Sequence, residues 1–276
     1  MIKTKDFSDQ TPRTKTEKIP HLKIAKIGIV SRNYNHKFDN GFRDFSHEFS
    51  RVLSRLDDER CDTVLFSLYS IVPRKSFRPL RSMRRLRNIK AVFYEEFKDG
   101  EEREIKGSVV LYRGRNNKWD RYPLPGGGFP TLKGLTDKKK REKVGKFVRD
   151  VVPGRTLGNC CTIQCGEING VAYHMDTKKV EDDFGLKKSL PKEVTVVLNS
   201  GHDRMTRFEM KRKRKFFSEH GRWTISVWNK GGKDKNGRTH DGTKPPWTVF
   251  YNGREVTKRV EQQNQIEKVE IGILEI

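Results

Sequence analysis

The clearest chemical signal in the sequence is a cysteine that follows a short apolar segment. Residues 162–164 read as the end of a strand, and Cys165, Gly166 and Glu167 follow directly. This pattern predicts a thiol on a tight turn at the carboxyl end of a sheet, the edge where open α/β sheets bind ligands. A thiolate there is an effective nucleophile if a positive group or a backbone dipole lowers its pKa, and Glu167 could orient or deprotonate a partner. The alternative is an inert cysteine buried in the core.

The remaining cysteine and histidine residues do not form a metal-binding pattern. Cys160, Cys161 and Cys165 contain no Cys-x-x-Cys pair, which makes zinc ligation unfavourable. His202 and Asp203 are more typical of a helix start on the surface, where Asp203 would act as the N-cap. Four cysteines in 276 residues also do not indicate a disulfide framework. We therefore predict no metal and no cofactor.

The second signal is positive charge. The chain contains 59 Lys and Arg residues and 36 Asp and Glu residues, for a net charge of +23. Such an excess is unusual for an enzyme of small molecules, and it indicates a polyanionic partner, nucleic acid first and an anionic membrane surface second. The alternative is a charge that serves general solubility.

Three segments concentrate this charge: residues 74–90, 137–143 and 204–215. Arginine, which dominates the first, contacts phosphate through a planar fork of donors. In the third, helical spacing predicts a basic face and places Phe208, Phe216 and Phe217 toward the core. The candidate nucleic-acid-binding residues are Arg81, Arg84, Arg85, Arg87, Lys138, Lys139, Lys140, Arg204, Arg207, Lys211, Arg214 and Lys215. Each segment alone could equally be a solvated helix face.

The apolar periodicity predicts strands that alternate with helices. A strand over residues 22–30, a helix over 42–56 and a strand over 62–69 form a β-α-β unit, which is typical of a layered α/β architecture. Further strands are predicted at residues 91–97, 107–113, 156–164, 194–199, 223–228, 247–251 and at the carboxyl-terminal residues. Helices are predicted at residues 137–148 and 204–220. A hairpin turn is predicted at Asp99-Gly100 and a mobile loop over residues 230–243.

Several short motifs resemble the nitrilase (carbon–nitrogen hydrolase) superfamily. Residues 196–230 are similar to the family's strand ending in Asn-Ser, the helix of mixed charge and the next strand, which ends near Asn. Residues 154–170 resemble its nucleophile strand and Cys-x-Glu elbow, and residues 245–256 resemble its closing hairpin. The resemblance implies an α/β fold, a four-layer α-β-β-α sandwich, and a dimer or larger oligomer.

The family's catalytic set is Glu, Lys and Cys, and the resemblance carries it over only in part. Cys165 matches the nucleophile, and Glu167 matches a frequent neighbour. Leu68 stands where the family has its general base, and Arg121 stands in the place of the lysine. Arginine can donate hydrogen bonds to an oxyanion but cannot move a proton. We therefore expect a degenerate site with weak or no hydrolytic activity.

The chain organisation is simple. We expect residues 1–20 to form a mobile polar tail and residues 21–276 to form one nitrilase-like domain, since no linker interrupts them. No run approaches the roughly 18 apolar residues of a membrane span, and the first twenty residues have no apolar secretory core. We expect a cytoplasmic protein without membrane contact.

The leading functional interpretation is a nitrilase-like protein that associates with nucleic acid and has lost its catalytic set. Nitrilase-like domains accompany some bacterial defence reverse transcriptases, so the resemblance also implies a role in phage defence and a possible protein partner. The first alternative is an active amide or nitrile hydrolase that uses Cys165, with Glu95, Glu96 or Glu167 as base. A nuclease with an unrecognised acidic cluster is the third.

Overall fold

Two β-sheets form the frame of this protein. The computed structural model describes residues 22–32, 44–74, 80, 83–98, 104–114, 116–129, 131–202, 208–231, 244–263, 266 and 268–276. The strands are β1 (Lys26–Arg32), β2 (Thr63–Phe66), β3 (Ala91–Lys98), β4 (Glu104–Arg113), β5 (Trp119–Pro123), β6 (Thr156–Leu157), β7 (Cys160–Thr162), β8 (Ala172–His174), β9 (Lys179–Glu181), β10 (Val196–Gly201), β11 (Trp223–Trp228), β12 (Trp247–Tyr251), β13 (Arg254–Glu255), β14 (Glu261–Gln262) and β15 (Val269–Glu275). The helices are α1 (Phe49–Asp58), α2 (Asp137–Asp150), α3 (Val152–Arg155) and α4 (Phe208–Phe217), with short 3-10 helices at Met83–Arg85, Cys165–Gly170 and Thr257–Arg259.

Parallel strands occupy the centre of both sheets. The first sheet has the order β14-β15-β1-β2-β3-β4-β5, in which β1, β2 and β3 are parallel. The second has the order β13-β12-β11-β10-β7-β6, in which β7, β10 and β11 are parallel. The amide of Leu68, after β2, donates a hydrogen bond to the carbonyl of Gly201, at the end of β10, at 3.2 Å. The carboxyl edges of the two sheets therefore meet.

Three apolar layers hold the sheets and helices together. Side chains alternate along each strand, so one face of a sheet packs against the other sheet and the opposite face packs against helices. Ile29 and Ile225 belong to the layer between the sheets. Leu53 of α1 covers the outer face of the first sheet, and Phe147 of α2 and Phe217 of α4 cover that of the second. The layer order is α-β-β-α, which confirms the four-layer sandwich that the resemblance to the nitrilase superfamily implies.

Most predicted elements are present, some with shifted ends. The strands Trp223–Trp228 and Trp247–Tyr251 have the predicted bounds, and the expected terminal strand is β15. Strand β1 begins at Lys26 rather than residue 22, and α4 is described only from Phe208. The tail over residues 1–20, the start of the predicted first helix, the Asp99-Gly100 turn and the loop over 232–243 lie outside the described residues. No helix within the described ranges is long and apolar enough to cross a membrane.

The predicted single strand over residues 156–164 is wrong, because β6 and β7 form a hairpin there. Gly158 turns the chain with a φ of 58°, a conformation that glycine adopts without strain. A Cβ atom at this position would overlap the carbonyl oxygen of Leu22. Asn159 donates its amide hydrogen to that same oxygen at 2.9 Å. The close approach of the segment before β1 therefore breaks the strand at the glycine.

Buried polar side chains join the two sheets at their carboxyl edge. The hydroxyl of Ser67 donates to Asn229 Oδ1 at 2.8 Å, and Asn229 Nδ2 donates to the carbonyl of Leu68 at 2.6 Å. The hydroxyl of Ser200, in β10, donates to the carbonyl of Phe66 at 3.0 Å. These bonds hold the segment after β2 in one position relative to the second sheet.

Replacing Asn229 by alanine should lower the free energy of unfolding by about 2–4 kcal/mol, because the Leu68 carbonyl and the Ser67 hydroxyl would stay buried without partners. Urea denaturation measures this loss. The matched control is Asn116→Ala, whose side chain is exposed, and it should change the free energy by less than about 1 kcal/mol. Equal losses in both variants would contradict the role assigned to this polar contact.

Candidate active site

A thiol, an imidazole and a carboxylate meet at the carboxyl edge of the sheets. Cys165 follows β7, His202 follows β10, and Glu95 lies near the end of β3. Because β7 and β10 are paired parallel neighbours, the residues after them lie side by side. Glu95 comes from the facing sheet. The structure thus places Cys165 at the carboxyl end of a strand, as the sequence predicts.

The backbone at Cys165 turns sharply from β7 into the 3-10 helix Cys165–Gly170. Cys165 has a φ of 40°, in the left-handed region that residues other than glycine rarely adopt. Such a conformation costs about 1–3 kcal/mol and persists only where the surrounding structure enforces it. A strained residue between a strand and a helix presents its side chain at the sheet edge, as in the nucleophile elbows of hydrolases.

Hydrogen bonds to the sulfur favour the thiolate form of Cys165. Burial acts to raise the pKa of this thiol, but the imidazole of His202 and the backbone amides of His202 and Gly166 act in the opposite direction. Their combined effect holds the pKa of Cys165 below its ordinary value. The nucleophilic form of the side chain is therefore favoured.

The His202 imidazole is held between the thiol and a buried carboxylate. Its Nε2 atom lies 2.8 Å from Glu95 Oε2, and the Glu95 side chain is only 3% exposed. The amide of Tyr69 donates to the same carboxylate oxygen at 2.9 Å, and the Tyr69 ring packs on the imidazole with centroids 4.1 Å apart. The amide of Glu95 itself donates to Ser70 Oγ at 3.1 Å. These contacts fix the plane and the direction of the imidazole.

The protonation states of Cys165 and His202 are coupled. Burial acts to lower the pKa of His202, but its hydrogen bonds to Cys165 and Glu95, with their charges, raise the pKa to about 10. A lowered thiol pKa beside a raised imidazole pKa favours a thiolate–imidazolium pair at neutral pH. Such a pair supplies both an activated nucleophile and a proton donor.

The other three cysteines have raised thiol pKa values, in contrast to Cys165. Burial raises the pKa of Cys61 to about 12 and that of Cys161 to about 11, and it also raises the pKa of Cys160. A buried neutral thiol is a small apolar side chain with little reactivity. Cys165 is therefore the one cysteine of the chain whose surroundings favour the thiolate.

Glu167 supports the turn at Cys165. Its carboxylate forms a buried ion pair with Arg155, with Nη1 and Oε2 2.6 Å apart, and accepts a hydrogen bond from the amide of Gln164 at 2.7 Å. A Cβ on Gly128 would overlap this carboxylate, so glycine is required there. Removing one partner of a buried ion pair costs about 3–5 kcal/mol. The contacts of Glu167 thus assign it to holding the turn.

Arg121 lies on the far side of the first sheet from the thiol. Its Nη2 is 2.8 Å from Glu96 Oε2, and neighbouring residues of a strand face opposite sides of the sheet. Glu95 faces the second sheet, whereas Glu96 faces the α1 layer together with Arg121. The role of oxyanion donor expected for Arg121 does not fit this placement. Leu68 is buried and lines a small cavity between the sheets.

The basic residues that the structure describes are divided between the two outer layers. Arg84, Arg85 and Arg87 are exposed beside Met83, which packs in the α1 layer. Lys138 and Lys139 are exposed at the start of α2, over the second sheet, and Lys140 is paired with Asp137 at 2.9 Å. The two groups thus lie on opposite outer faces of the sandwich.

The prediction that Arg214 binds nucleic acid is wrong. Arg214 is fully buried, its Nη1 donates to Thr248 Oγ1 at 2.9 Å, and its guanidinium lies 5.4 Å from the centre of the Trp228 ring. Burial lowers its pKa to about 9. Phe208, predicted to face the core, is 58% exposed. Phe217, also predicted to face the core, is buried, so the predicted inward side of α4 is right at Phe217 and wrong at Phe208 and Arg214.

Of the remaining candidates in the third basic segment, Lys211 forms an ion pair and Lys215 is exposed to solvent. The partner of Lys211 is Glu255, with Nζ and Oε2 3.4 Å apart. Three predicted residues lie outside the described part of the chain: Arg81, Arg204 and Arg207.

His202 is the functional residue that the sequence analysis missed. Its expected surface position is wrong, since its side chain is 19% exposed and bonded to Glu95. The available signal was its place directly after a buried strand, because the ends of parallel strands share one edge. Glu95 is one of the three carboxylates that the sequence offered as a general base. In the structure it contacts His202, which in turn contacts the Cys165 thiol.

Comparisons with known proteins concern the fold. No family model and no curated protein matches this chain. The chain is similar to the solved structure of XC1258, a CN-hydrolase superfamily protein from Xanthomonas campestris, with 10% identity over 92% of this chain and 91% of that one and a TM-score of 0.45. It is similar to a cysteine-to-serine mutant of the Nesterenkonia AN1 amidase, with 13% identity over 94% of this chain and 93% of that one and a TM-score of 0.48. It is also similar to Saccharomyces cerevisiae Nit3, with 10% identity over 92% of this chain and 93% of that one and a TM-score of 0.46. These proteins come from the superfamily that the sequence resembles.

Iodoacetamide should modify Cys165 rapidly at neutral pH, because its thiolate is populated below the ordinary pKa of cysteine. In His202→Ala the reactive pH range should move upward, and the rate at pH 7 should fall by at least about tenfold, which corresponds to one pKa unit. Mass spectrometry of each cysteine peptide over pH 5–10 measures this. Cys61 is the internal control and should stay unmodified in the folded protein. Identical pH profiles in both proteins would contradict the thiolate–imidazolium pair.

Proposed function

We propose that this protein is a thiol-dependent hydrolase of carbon–nitrogen bonds, with amides as the first substrate class. Cys165 is the nucleophile, His202 is the general acid and base, and Glu95 orients the imidazole. The observation that carries the proposal is the contact of His202 with both the Cys165 thiol and the Glu95 carboxylate.

In the first half of the reaction, the Cys165 thiolate attacks the amide carbonyl carbon. A carbon–sulfur bond forms, and the carbonyl oxygen takes the negative charge. When this intermediate collapses, the carbon–nitrogen bond breaks and the imidazolium of His202 gives its proton to the leaving amine. The products of this step are a thioester on Cys165, a free amine or ammonia, and a neutral imidazole.

In the second half, the neutral His202 takes a proton from water as the water attacks the thioester. The carbon–sulfur bond breaks, a carboxylic acid leaves, and the thiolate–imidazolium pair forms again. Glu95 stays hydrogen-bonded to the imidazole, so each proton transfer takes place in the same geometry. For a nitrile, His202 would instead protonate the nitrogen during the first attack.

The contact with His202 favours an active site over the degenerate one expected from Leu68 and Arg121. That expectation assumed that the thiol lacks a proton-transfer partner. Here the partner follows a strand of the second sheet, and its carboxylate comes from the first. The predicted loss of the usual glutamate and lysine therefore does not leave Cys165 without a base.

A panel of primary amides, assayed for ammonia release, tests the proposal. Cys165→Ala should abolish turnover, and His202→Ala should lower kcat/KM by about 10²–10⁴ through loss of the general acid and base. Glu95→Gln should lower kcat with little change in KM, because it acts through the imidazole. The control is Cys61→Ala, a buried thiol outside the site, which should retain activity. A protein that neither releases ammonia nor is acylated at Cys165 by an activated ester would contradict the proposal.

We also propose that the basic surface of α2 binds nucleic acid or another polyanion. The net charge of +23 and the exposed Lys138, Lys139, Arg141, Lys143 and Lys146 support this. The helix turns Val144 and Phe147 into the core, so these basic residues occupy its opposite face. The link to phage defence, the protein partner and the oligomeric state stay predictions.

Oligonucleotide affinity should fall steeply with salt, and Lys138→Glu/Lys139→Glu should weaken it and flatten the logarithmic salt slope by about 2. Acidic residues in the first turn of a helix are favourable, so this variant should fold. Lys23→Glu/Lys192→Glu changes two exposed lysines elsewhere and lowers the net charge equally. Fluorescence anisotropy at several salt concentrations compares them. Equal weakening in both variants, or no binding at low salt, would refute this surface.

A further inference from the structure

A second group of ligand-type side chains lies on the β8–β9 hairpin, apart from Cys165. His174, Glu181 and Asp183 place one ligand atom each within 4.8 Å of one another. His174 and Glu181 lie diagonally across the hairpin on the same face, since Ala172 pairs with Glu181 and His174 with Lys179. Asp183 follows two residues after the end of β9. One imidazole and two carboxylates are thus gathered by a single short sheet.

The distances between these atoms suit a shared ion better than direct hydrogen bonds. His174 Nε2 lies 3.3 Å from Asp183 Oδ2 and 3.7 Å from Glu181 Oε2. Hydrogen bonds between an imidazolium and a carboxylate are shorter, at about 2.7–2.9 Å. Zinc bonds to nitrogen and oxygen are about 2.0–2.2 Å long, which places neighbouring ligands of a tetrahedral ion about 3.3–3.6 Å apart. The two observed separations are close to this distance between neighbouring ligands of a tetrahedral zinc ion.

The His174 nitrogen that faces the carboxylates is itself buried, although the His174 side chain as a whole is 37% exposed. Nε2 is shielded from solvent and has no hydrogen-bond partner among the described residues. A buried polar atom without a partner costs about 1–3 kcal/mol, so an ion bound to this nitrogen would remove that cost. Its lone pair would bind a cation held by the two carboxylates.

The surrounding contacts hold the third ligand in place. Arg141 of α2 donates to the carbonyl of Asp183 at 2.9 Å. The neighbouring Asp182 accepts the amide of Lys188 at 2.9 Å, and its carbonyl accepts the amide of Gly185 at 3.1 Å. Protein contacts alone therefore hold the chain after β9, which reduces the entropy that would be lost when an ion binds.

We propose that His174, Glu181 and Asp183 bind one divalent transition-metal ion, zinc by ligand type and spacing, and leave the fourth position to water. This proposal differs from the sequence-based prediction of no metal site. Imidazole combined with carboxylates suits zinc and its neighbours better than calcium or magnesium, which prefer oxygen ligands alone. Because Glu181 is exposed, the ion can exchange with solvent.

The test uses the full chain with Cys165→Ala, so that the reactive thiol does not bind metal. After chelator treatment and desalting, zinc is titrated in competition with a chromogenic chelator, and cobalt is added separately to read the coordination geometry from its visible spectrum. We expect one equivalent of zinc and the intense cobalt bands of a tetrahedral site. His174→Ala and the exposed-site variant Glu181→Gln should each weaken zinc binding at least about tenfold.

The matched control is His220→Asn, which removes an exposed histidine outside the cluster and keeps a residue type that tolerates its left-handed φ of 62°. Its zinc affinity should equal that of the parent. Absence of bound zinc in the parent would overturn the proposal and identify the cluster as an ion pair alone. Equal affinity in the parent, His174→Ala and Glu181→Gln would overturn it as well.

Discussion

The hydrogen bond between the Cys165 thiol and the His202 imidazole is the interaction on which the site depends. It exists because β7 and β10 are parallel neighbours that end at one edge. Glu95 reaches the imidazole from the other sheet, so the packing of the two sheets is part of the site. Because side chains alternate along a strand, a register shift of one residue in β3 would turn Glu95 toward α1. The chemistry at Cys165 is thus sensitive to sheet pairing far from the sulfur.

Burying three ionisable side chains is unfavourable unless each has partners. Here the three side chains are partners of one another, and backbone amides supply further hydrogen bonds. Amides of Gly166 and His202 stabilise the sulfur, and the amide of Tyr69 stabilises the Glu95 carboxylate. The Arg155–Glu167 pair keeps the turn at Cys165 in its strained conformation. A similar logic applies at Asn229, whose side chain fixes the segment that carries Tyr69.

The proposed polyanion surface and the candidate active site occupy different parts of the molecule. The exposed basic residues Arg84, Arg85, Arg87, Lys138 and Lys139 lie over the outer layers, whereas the thiol lies at the edge between the two sheets. The proposed polyanion surface and the proposed hydrolase site can therefore be altered independently. The buried Arg214 shows that a basic residue in a charged segment need not face solvent. Its aliphatic carbons pack against the sheet, while Thr248 and Asn199 satisfy part of its guanidinium.

Local periodicity was sufficient to predict the α/β order and the place of Cys165 after a strand, since each depends on residues close in the chain. The four layers came from the resemblance to the nitrilase superfamily. Local periodicity failed where distant segments meet. The backbone of Leu22 splits one predicted strand at Gly158, and the packing of α4 buries Arg214 and exposes Phe208. His202 and Glu95 are 107 residues apart, and no local pattern links them. The sequence alone indicated Cys165 as the candidate nucleophile and placed it on a turn. Strand pairing and register, which depend on residues distant in the chain, decided that His202 is the side chain that contacts its thiol.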